Sequence, residues 1–393
     1  MRVGIIRETK TPVDNRVPLT PCQCVALREA GIEVVVERSA IRAYRDEEYA
    51  AKGIDMVDRL ADTKCDIRLG VKEVNCDCLE ENCHYLFFSH IAKLQPYNRA
   101  LLLACLEKHI TLTDYEYLVG KEGNRLVYFG FFAGAVGVYN TLRLYGVKYN
   151  LYALEKPQAD WSVERLAEEV GKIIPFLTKR KTKVLITGTG HVSEGAQFVL
   201  DKAGMKKRGA SSYIVIPTDL MVRRKGQFST SDFHQHPDEY ESWFDNYIGL
   251  ADILVACHYW DCNAPRYFTR DLMMRPNNRI KVVGDITCDI NGSIECTVRP
   301  STHDEPFYDY LPETGKEVTF GTNDNAISVM AVDTCPNALP RDASEKFGEM
   351  LIENVLLPMA NGDTTAIDNA TLVRNGEISS RFSYLKDFVY GKG

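Results

Sequence analysis

Apolar residues along this chain fall into short continuous runs, separated by stretches in which they recur every three or four positions. The runs at residues 2–8 (RVGIIRE), 33–38 (EVVVER), 66–72 (DIRLGVK), 85–90 (YLFFSH) and 111–116 (TLTDYE) are brief and nearly unbroken. That pattern predicts strands buried on both faces rather than helices. Between them, PCQCVALREAG (21–31) and NRALLLACLEKH (98–109) carry the helical period, the first closed by Gly31. Alternation of this kind predicts an α/β fold on a parallel sheet over about the first 130 residues.

A glycine-rich apolar segment, FGFFAGAVGVYNTLRLYG (129–146), suits a helix packed closely on a neighbour. Residues 162–177 then place Val163, Leu166, Ala167, Val170, Ile173 and Ile174 on one face of an amphipathic helix. The chain continues into KTKVLITGTGHVSEGAQFVLDKAG (181–204), which reads as a strand at 183–187, a glycine turn, and a helix from about 193 to 202. Further buried runs follow at 211–217, 251–257 and 280–287, while the polar tract at about 221–247 reads as an insertion.

At 393 residues and 45% hydrophobic content, the chain can bury a large core and is long enough for two domains. A net charge of -7 argues against nucleic acid or an anionic membrane as partner, since there is no excess of cations to release counterions. No segment approaches the roughly 18 unbroken apolar residues of a membrane helix, and the N-terminal apolar run is too short for a signal peptide. The expectation is a cytoplasmic protein with a small-molecule ligand. Its twelve cysteines then read as thiols. Cys76, Cys78 and Cys83, with His84, lack the paired spacing of a zinc site, and His234 and His236 lack a neighbouring carboxylate and histidine at helical spacing, so no metal is expected.

The glycine turn is the first chemical signal. A strand, Gly188, Gly190 and a helix N-terminus would let backbone amides approach a pyrophosphate, with Ser193 standing where the dinucleotide fingerprint has its third glycine and Gly195 two residues on. Asp219 lies where an acid would hold ribose hydroxyls and favours NAD; Arg223, Arg224 and Lys225 just beyond would suit the extra phosphate of NADP. A second signal is the charge gathered at strand ends: Arg7 and Glu8, Lys72 and Glu73, His90 and Lys93, with Arg16 in the following loop. Carboxyl ends of parallel strands are where sites form in such folds.

RETKTPVDNRVPLTP, LGVKEV, FFSHIAK, YFGFFAGAVG and GDITCDINGSIE resemble the alanine dehydrogenase and transhydrogenase N-terminal superfamily. ITGTGHVSEGAQ, YWDCNAPRYFTR, GSIECTVRPSTHDEPFY and LPRDASEKFGEML resemble its saccharopine-handling, lysine-ketoglutarate reductase branch. The resemblance implies two Rossmann-like, doubly wound α/β domains with a cleft between them: residues 1–133 plus 324–393 as the substrate domain, and 134–323 as the dinucleotide domain. A helix near NAISVMAVD is expected to bring the chain back. It further implies Lys72 and His90 as catalytic acid-base groups, Lys93 and Asp333 as a supporting pair, Arg16 and Arg125 as partners of substrate carboxylates, and Asp285 beside the nicotinamide. The implied activity is NAD(P)-dependent interconversion of saccharopine with lysine and 2-oxoglutarate. An alanine or opine-type dehydrogenase, or a nucleotide sensor that lost its chemistry, are the alternatives. Because GTGHVSEG departs from the GxGxxG of alanine dehydrogenases, NAD and NADP both stay open, with Asp219 tilting toward NAD.

Overall fold

The fully apolar runs become the central strands of two sheets in a computed structural model that describes residues 1–94, 96–224 and 228–391. The chain divides into two units, one made of Met1–Phe129 with Pro340–Gly393, the other of Gly130–Leu339.

In the first unit Arg2–Ile5 lies at the middle of an eight-stranded sheet, paired in parallel with Glu33–Glu37 on one side and Ile67–Lys72 on the other. His84–Phe88 and Thr111–Asp114 continue the parallel run, and Asp55–Val57 closes the opposite edge. Numbered along the chain, the parallel strands stand in the order 3-2-1-4-5-6, that of dinucleotide-binding Rossmann domains. A late strand, Thr371–Arg374, adds antiparallel to the last of them and is itself paired antiparallel with Glu377–Ile378 at the edge, and the Thr113 and Thr371 hydroxyls meet at 2.8 Å. The helix Pro21–Glu29 starts on a capping box between Thr20 and Gln23. The late helix Pro340–Leu351 packs into this unit, its Ser344 hydroxyl accepting from the Val17 N–H at 2.8 Å and its Phe347 ring stacked on Phe129 at 4.4 Å.

The second unit holds a seven-stranded sheet. Ser212–Ile216, Lys183–Thr187, Ile253–Ala256, Val282–Asp285 and Ile327–Met330 run parallel in that spatial order, and Phe307–Leu311 and Lys316–Val318 turn antiparallel at the edge. Two helices cross above it at glycines. A Cβ at Gly134 of Gly130–Lys148 would fall 1.7 Å from the Val192 carbonyl oxygen, and one at Gly195 of His191–Lys202 would fall 1.8 Å from that of Phe131.

Three sequence expectations change. NAISVMAVD is a strand, Ile327–Met330, not a helix: its four buried residues pair with Val282–Gly284 on one side and Phe307–Tyr310 on the other. The return to the first unit accordingly comes at Pro340 rather than 324, and the first crossing at Gly130 rather than 134. The helix after the glycine turn begins at His191, two residues early, with Gly190 as its cap. Within the polar tract at about 221–247, Phe233, Tyr240 and Phe244 join the buried core of the second unit. No helix among the described residues is long and apolar enough to cross a membrane.

Candidate active site

In the first unit the strand order reverses between Arg2–Ile5 and Ile67–Lys72, and the charges expected at strand ends gather at that reversal. Glu8 spans it: its Oε1 accepts the Val71 N–H at 2.7 Å and its Oε2 the Lys72 N–H at 3.0 Å. Burial, with the nearby Asp14 adding, raises the Glu8 carboxyl to about 8 despite those donors. Lys72 stands opposite Phe88 on the neighbouring strand, across an irregular step in register, which brings His90 just beyond it. His90 adopts a left-handed backbone, φ 53°, where the strand breaks into the turn Ile91–Lys93. That break is fixed by Ser89, whose N–H and hydroxyl both donate to the buried Asp114, and by Asn98, whose amide donates to the His90 carbonyl at 2.8 Å.

Behind these groups lie partners that strand-end reasoning did not assign. Glu73 receives the Lys10 ammonium on Oε1, and its Oε2 lies 3.6 Å from His90 Nδ1, an ion-pair rather than a hydrogen-bond distance. Burial alone would raise the Glu73 carboxyl, yet His90 and Lys10 together bring it down to about 2. Lys93 and Arg125 share a single acid, Glu116, with Oε1 at 3.8 Å from Lys93 Nζ and 2.9 Å from Arg125 Nη2. Both cations remain about half exposed, at 50% and 47%, which leaves them open to a ligand. Lys10 and Glu116 gave no signal beyond proximity in sequence to strand ends.

Arg16 is placed otherwise than expected. It is 4% exposed and forked onto Asp14, with Nε at 2.9 Å from Oδ1 and Nη2 at 2.6 Å from Oδ2, and its guanidinium lies 4.1 Å over the Phe129 ring. A fork already filled by an internal carboxylate has little left for a substrate's. Burial would raise Asp14, but Arg16, with Lys72 adding, holds it below the ordinary carboxylate range. Asp333, expected with Lys93 as a supporting pair, lies in the second unit just after Ile327–Met330, and Lys93 has Glu116 at 3.8 Å.

A charge tied in this way should show in acid unfolding. The Glu73 carboxyl sits near 2 in the folded chain against an ordinary 4.5, so its contribution is complete above about pH 4.5 and is lost as pH falls toward 2. Glu73→Gln is expected to flatten the stability profile across that window, read from urea midpoints; an unchanged acid slope would mean that Glu73 is not held by Lys10 and His90.

In the second unit the glycine turn is close-packed at its first glycine and open at its second. Gly188 has φ +82°, and a Cβ there would come within 2.8 Å of the His258 backbone; in front of Gly190 no atom lies within 4 Å of where a Cβ would be. The cradle is therefore open at the helix N-terminus, and its donors are backbone. Ser193, expected at the fingerprint's third glycine position, is fully buried, its Oγ accepting from Gln197 at 3.1 Å. Asp285 is likewise turned inward: Thr287 and Thr297 donate to its two oxygens, and burial raises it to about 6. Asp219 is exposed just past Ser212–Ile216, the strand beside the glycine turn. Arg223 pairs with Glu241 at 3.3 Å, and Arg224 pairs with Asp232 at 2.6 Å and with Glu239; Lys225 lies outside the described residues. Among the described residues no group of three or more histidines, cysteines and acids is disposed to hold a metal.

Residues 4–136 match the family model for the alanine dehydrogenase/PNT N-terminal domain. The chain is 31% identical over 440 residues to alpha-aminoadipic semialdehyde synthase of Arabidopsis thaliana, covering 98% of this chain but 41% of that one, so it spans less than half the length of that relative. It is 28% identical over 371 residues to the saccharopine dehydrogenase [NAD(+), L-lysine-forming] of Emericella nidulans, covering 90% and 91% of the two chains. A solved L-alanine dehydrogenase shares the fold, with a TM-score of 0.66 at 17% identity over 99% of both chains. The chain is thus similar along nearly its whole length to an alpha-aminoadipic semialdehyde synthase and a lysine-forming saccharopine dehydrogenase, and its first third matches the alanine dehydrogenase/PNT N-terminal domain.

Proposed function

We propose that this protein is a nicotinamide-dependent oxidoreductase of CH–NH bonds, interconverting saccharopine with L-lysine and 2-oxoglutarate. The observation that carries the reading is the placing of Lys72 and His90 at the ends of adjacent strands, with Glu73 behind the histidine. Likeness to lysine-forming saccharopine dehydrogenases over 90% of the chain supports it. When bound, the nicotinamide would exchange hydride with the α-carbon of the substrate amine, held by the amides after Gly188 and by Asp219.

The chain's own residues have separable tasks. Hydride can leave a carbon beside a secondary amine only when the nitrogen lone pair is free, so a base must take the amine proton. Lys72 does this, from a strand end where its N–H bonds Glu8 and its charge reaches Asp14. The imine left behind must add water and then release the amine, and His90 moves those protons, since an imidazole can both accept and donate one. Glu73 orients that ring through Nδ1, leaving Nε2 for the substrate. Arg125 and Lys93, held by Glu116 and half exposed, receive the substrate carboxylates. Arg16 acts through Asp14 instead of touching substrate.

NAD is the favoured cofactor. The two arginines that would greet a 2'-phosphate are already engaged by carboxylates, whereas Asp219 stands exposed. Asp219→Ala is expected to raise the Kd for NADH by roughly tenfold, as loss of a charged hydrogen bond would; tighter binding of NADPH than NADH by the unaltered protein would reverse the assignment. The activity itself is tested by following NADH absorbance with each amino acid and 2-oxo acid in turn. Oxidation that requires both lysine and 2-oxoglutarate is the expected result. Turnover with pyruvate and ammonia would make it an alanine dehydrogenase, and binding of NADH without any turnover would make it a sensor.

A further inference from the structure

His258 is a buried titratable group to which no step above gives a task. It follows the strand Ile253–Ala256, is 5% exposed, and makes a hydrogen bond at each ring nitrogen: Nδ1 to Thr187 Oγ1 at 2.6 Å and Nε2 to Ser293 Oγ at 2.8 Å. A neutral imidazole has one donor and one acceptor nitrogen, and a hydroxyl can serve either, so both ends are satisfied without charge. Burial pushes the ring down to about 3, which keeps it neutral across the physiological range.

Each partner anchors a different part of the carboxyl edge. Thr187 ends the strand Lys183–Thr187, immediately before Gly188, and its hydroxyl also accepts the Cys257 N–H at 3.2 Å. Ser293 lies in the loop after Val282–Asp285, and its carbonyl accepts the N–H groups of Tyr267 and Phe268 at 2.9 and 3.0 Å. The Tyr267 ring stands edge-on to the imidazole at 4.8 Å. The Gly188 backbone closes onto His258 so tightly that a Cβ would meet its Cα at 2.8 Å. Strands Lys183–Thr187 and Ile253–Ala256 flank the point where the order of this sheet reverses, the position at which open α/β sheets bind ligands. Packing alone would be met by any apolar ring of this size, whereas two directed hydrogen bonds fix angle as well as distance.

We propose that His258 is a positioning residue for the dinucleotide, clamping the glycine turn, the neighbouring strand end and the loop carrying Ser293 into one rigid edge, so that the amides after Gly188 are preset for a pyrophosphate. The inference rests on the cofactor site proposed at that turn.

His258→Phe keeps the ring and removes both bonds; Ser293→Ala removes one with little change in volume. NADH binding, followed by its fluorescence, and urea unfolding are measured on both variants and on their combination. The expected result is a Kd for NADH raised about tenfold in His258→Phe and severalfold in Ser293→Ala, with the double variant no weaker than His258→Phe alone, because the two act as a unit. In steady state the change falls on KM for NADH more than on kcat. An unaltered Kd beside a lowered unfolding midpoint would make His258 a packing residue and overturn the proposal. Should His258→Phe fail to fold, an unaltered Kd in Ser293→Ala overturns it equally. If the unaltered protein binds neither NADH nor NADPH, the cofactor site fails and this inference with it; if it binds and the variants bind as well, only the role of His258 falls.

Discussion

Lys72→Met is expected to lower turnover by about 10²–10⁴-fold, the span over which a positioned acid-base group acts, with the fold and NADH affinity preserved. The side chain is only partly buried, and the backbone bond from the Lys72 N–H to Glu8 survives the change. Methionine keeps the length of the stem. The same loss is expected for His90, and there the replacement matters: the residue sits at φ 53°, so asparagine, which tolerates that region, isolates the chemistry better than glutamine. If both groups act on protons, turnover in Lys72→Met should recover partly with added primary amines, and the pH profile of kcat should lose one limb in each variant. Near-normal turnover in either would remove that residue from the mechanism.

Arg16→Ala is expected to destabilise the first unit by about 3–5 kcal/mol, the range for removing one partner of a buried ion pair. Asp14, 3% exposed, would be left as a buried carboxylate without its fork, and Phe129 would lose the guanidinium stacked on it. Asp14→Ala should cost less. With Asp14 gone one of the influences raising Glu8 disappears, and Glu8 can ionise to answer Arg16. Urea unfolding of the two variants distinguishes this from a pure binding role: a large rise in the Michaelis constants with unaltered stability in Arg16→Ala would restore Arg16 to the substrate.

The difference between those two residues shows what the sequence carried. The strand-end positions of Lys72 and His90 were legible because each closes an apolar run, and a buried parallel strand announces its carboxyl end through the first charges after it. The partner of Arg16 stood two residues away in DNR, but proximity along a loop does not reveal which cation keeps a fork free. Glu116 beside Lys93 and Arg125, and Lys10 beside Glu73, depend on where loops fold back, a property with no periodicity. The strands followed the same rule. Central runs such as 66–72 and 251–257 were visible from their unbroken apolar character, whereas ISVM, four residues long, lacks the length that separates strand from helix. Phe307–Leu311 escaped because tyrosines and an aspartate interrupt it; that Asp309 accepts from Ser328 inside the sheet is a tertiary fact.

The first unit is interrupted in sequence by the whole of the second, and this orders events during synthesis. A ribosome that has just emitted Leu339 has supplied every residue of the second unit, which is continuous and can fold at once. The first unit at that moment has its parallel strands but not the ring of Phe347 that covers Phe129, nor the hydroxyl of Thr371 that meets Thr113. Its outer strand Thr111–Asp114 stays an unpaired edge until more than 250 further residues have been made. Nascent chains stalled before Thr371 should therefore resist protease through residues 130–339 while residues 1–129 are still cut, so the vulnerable period of the first unit lasts until the segment from Pro340 onward has been supplied.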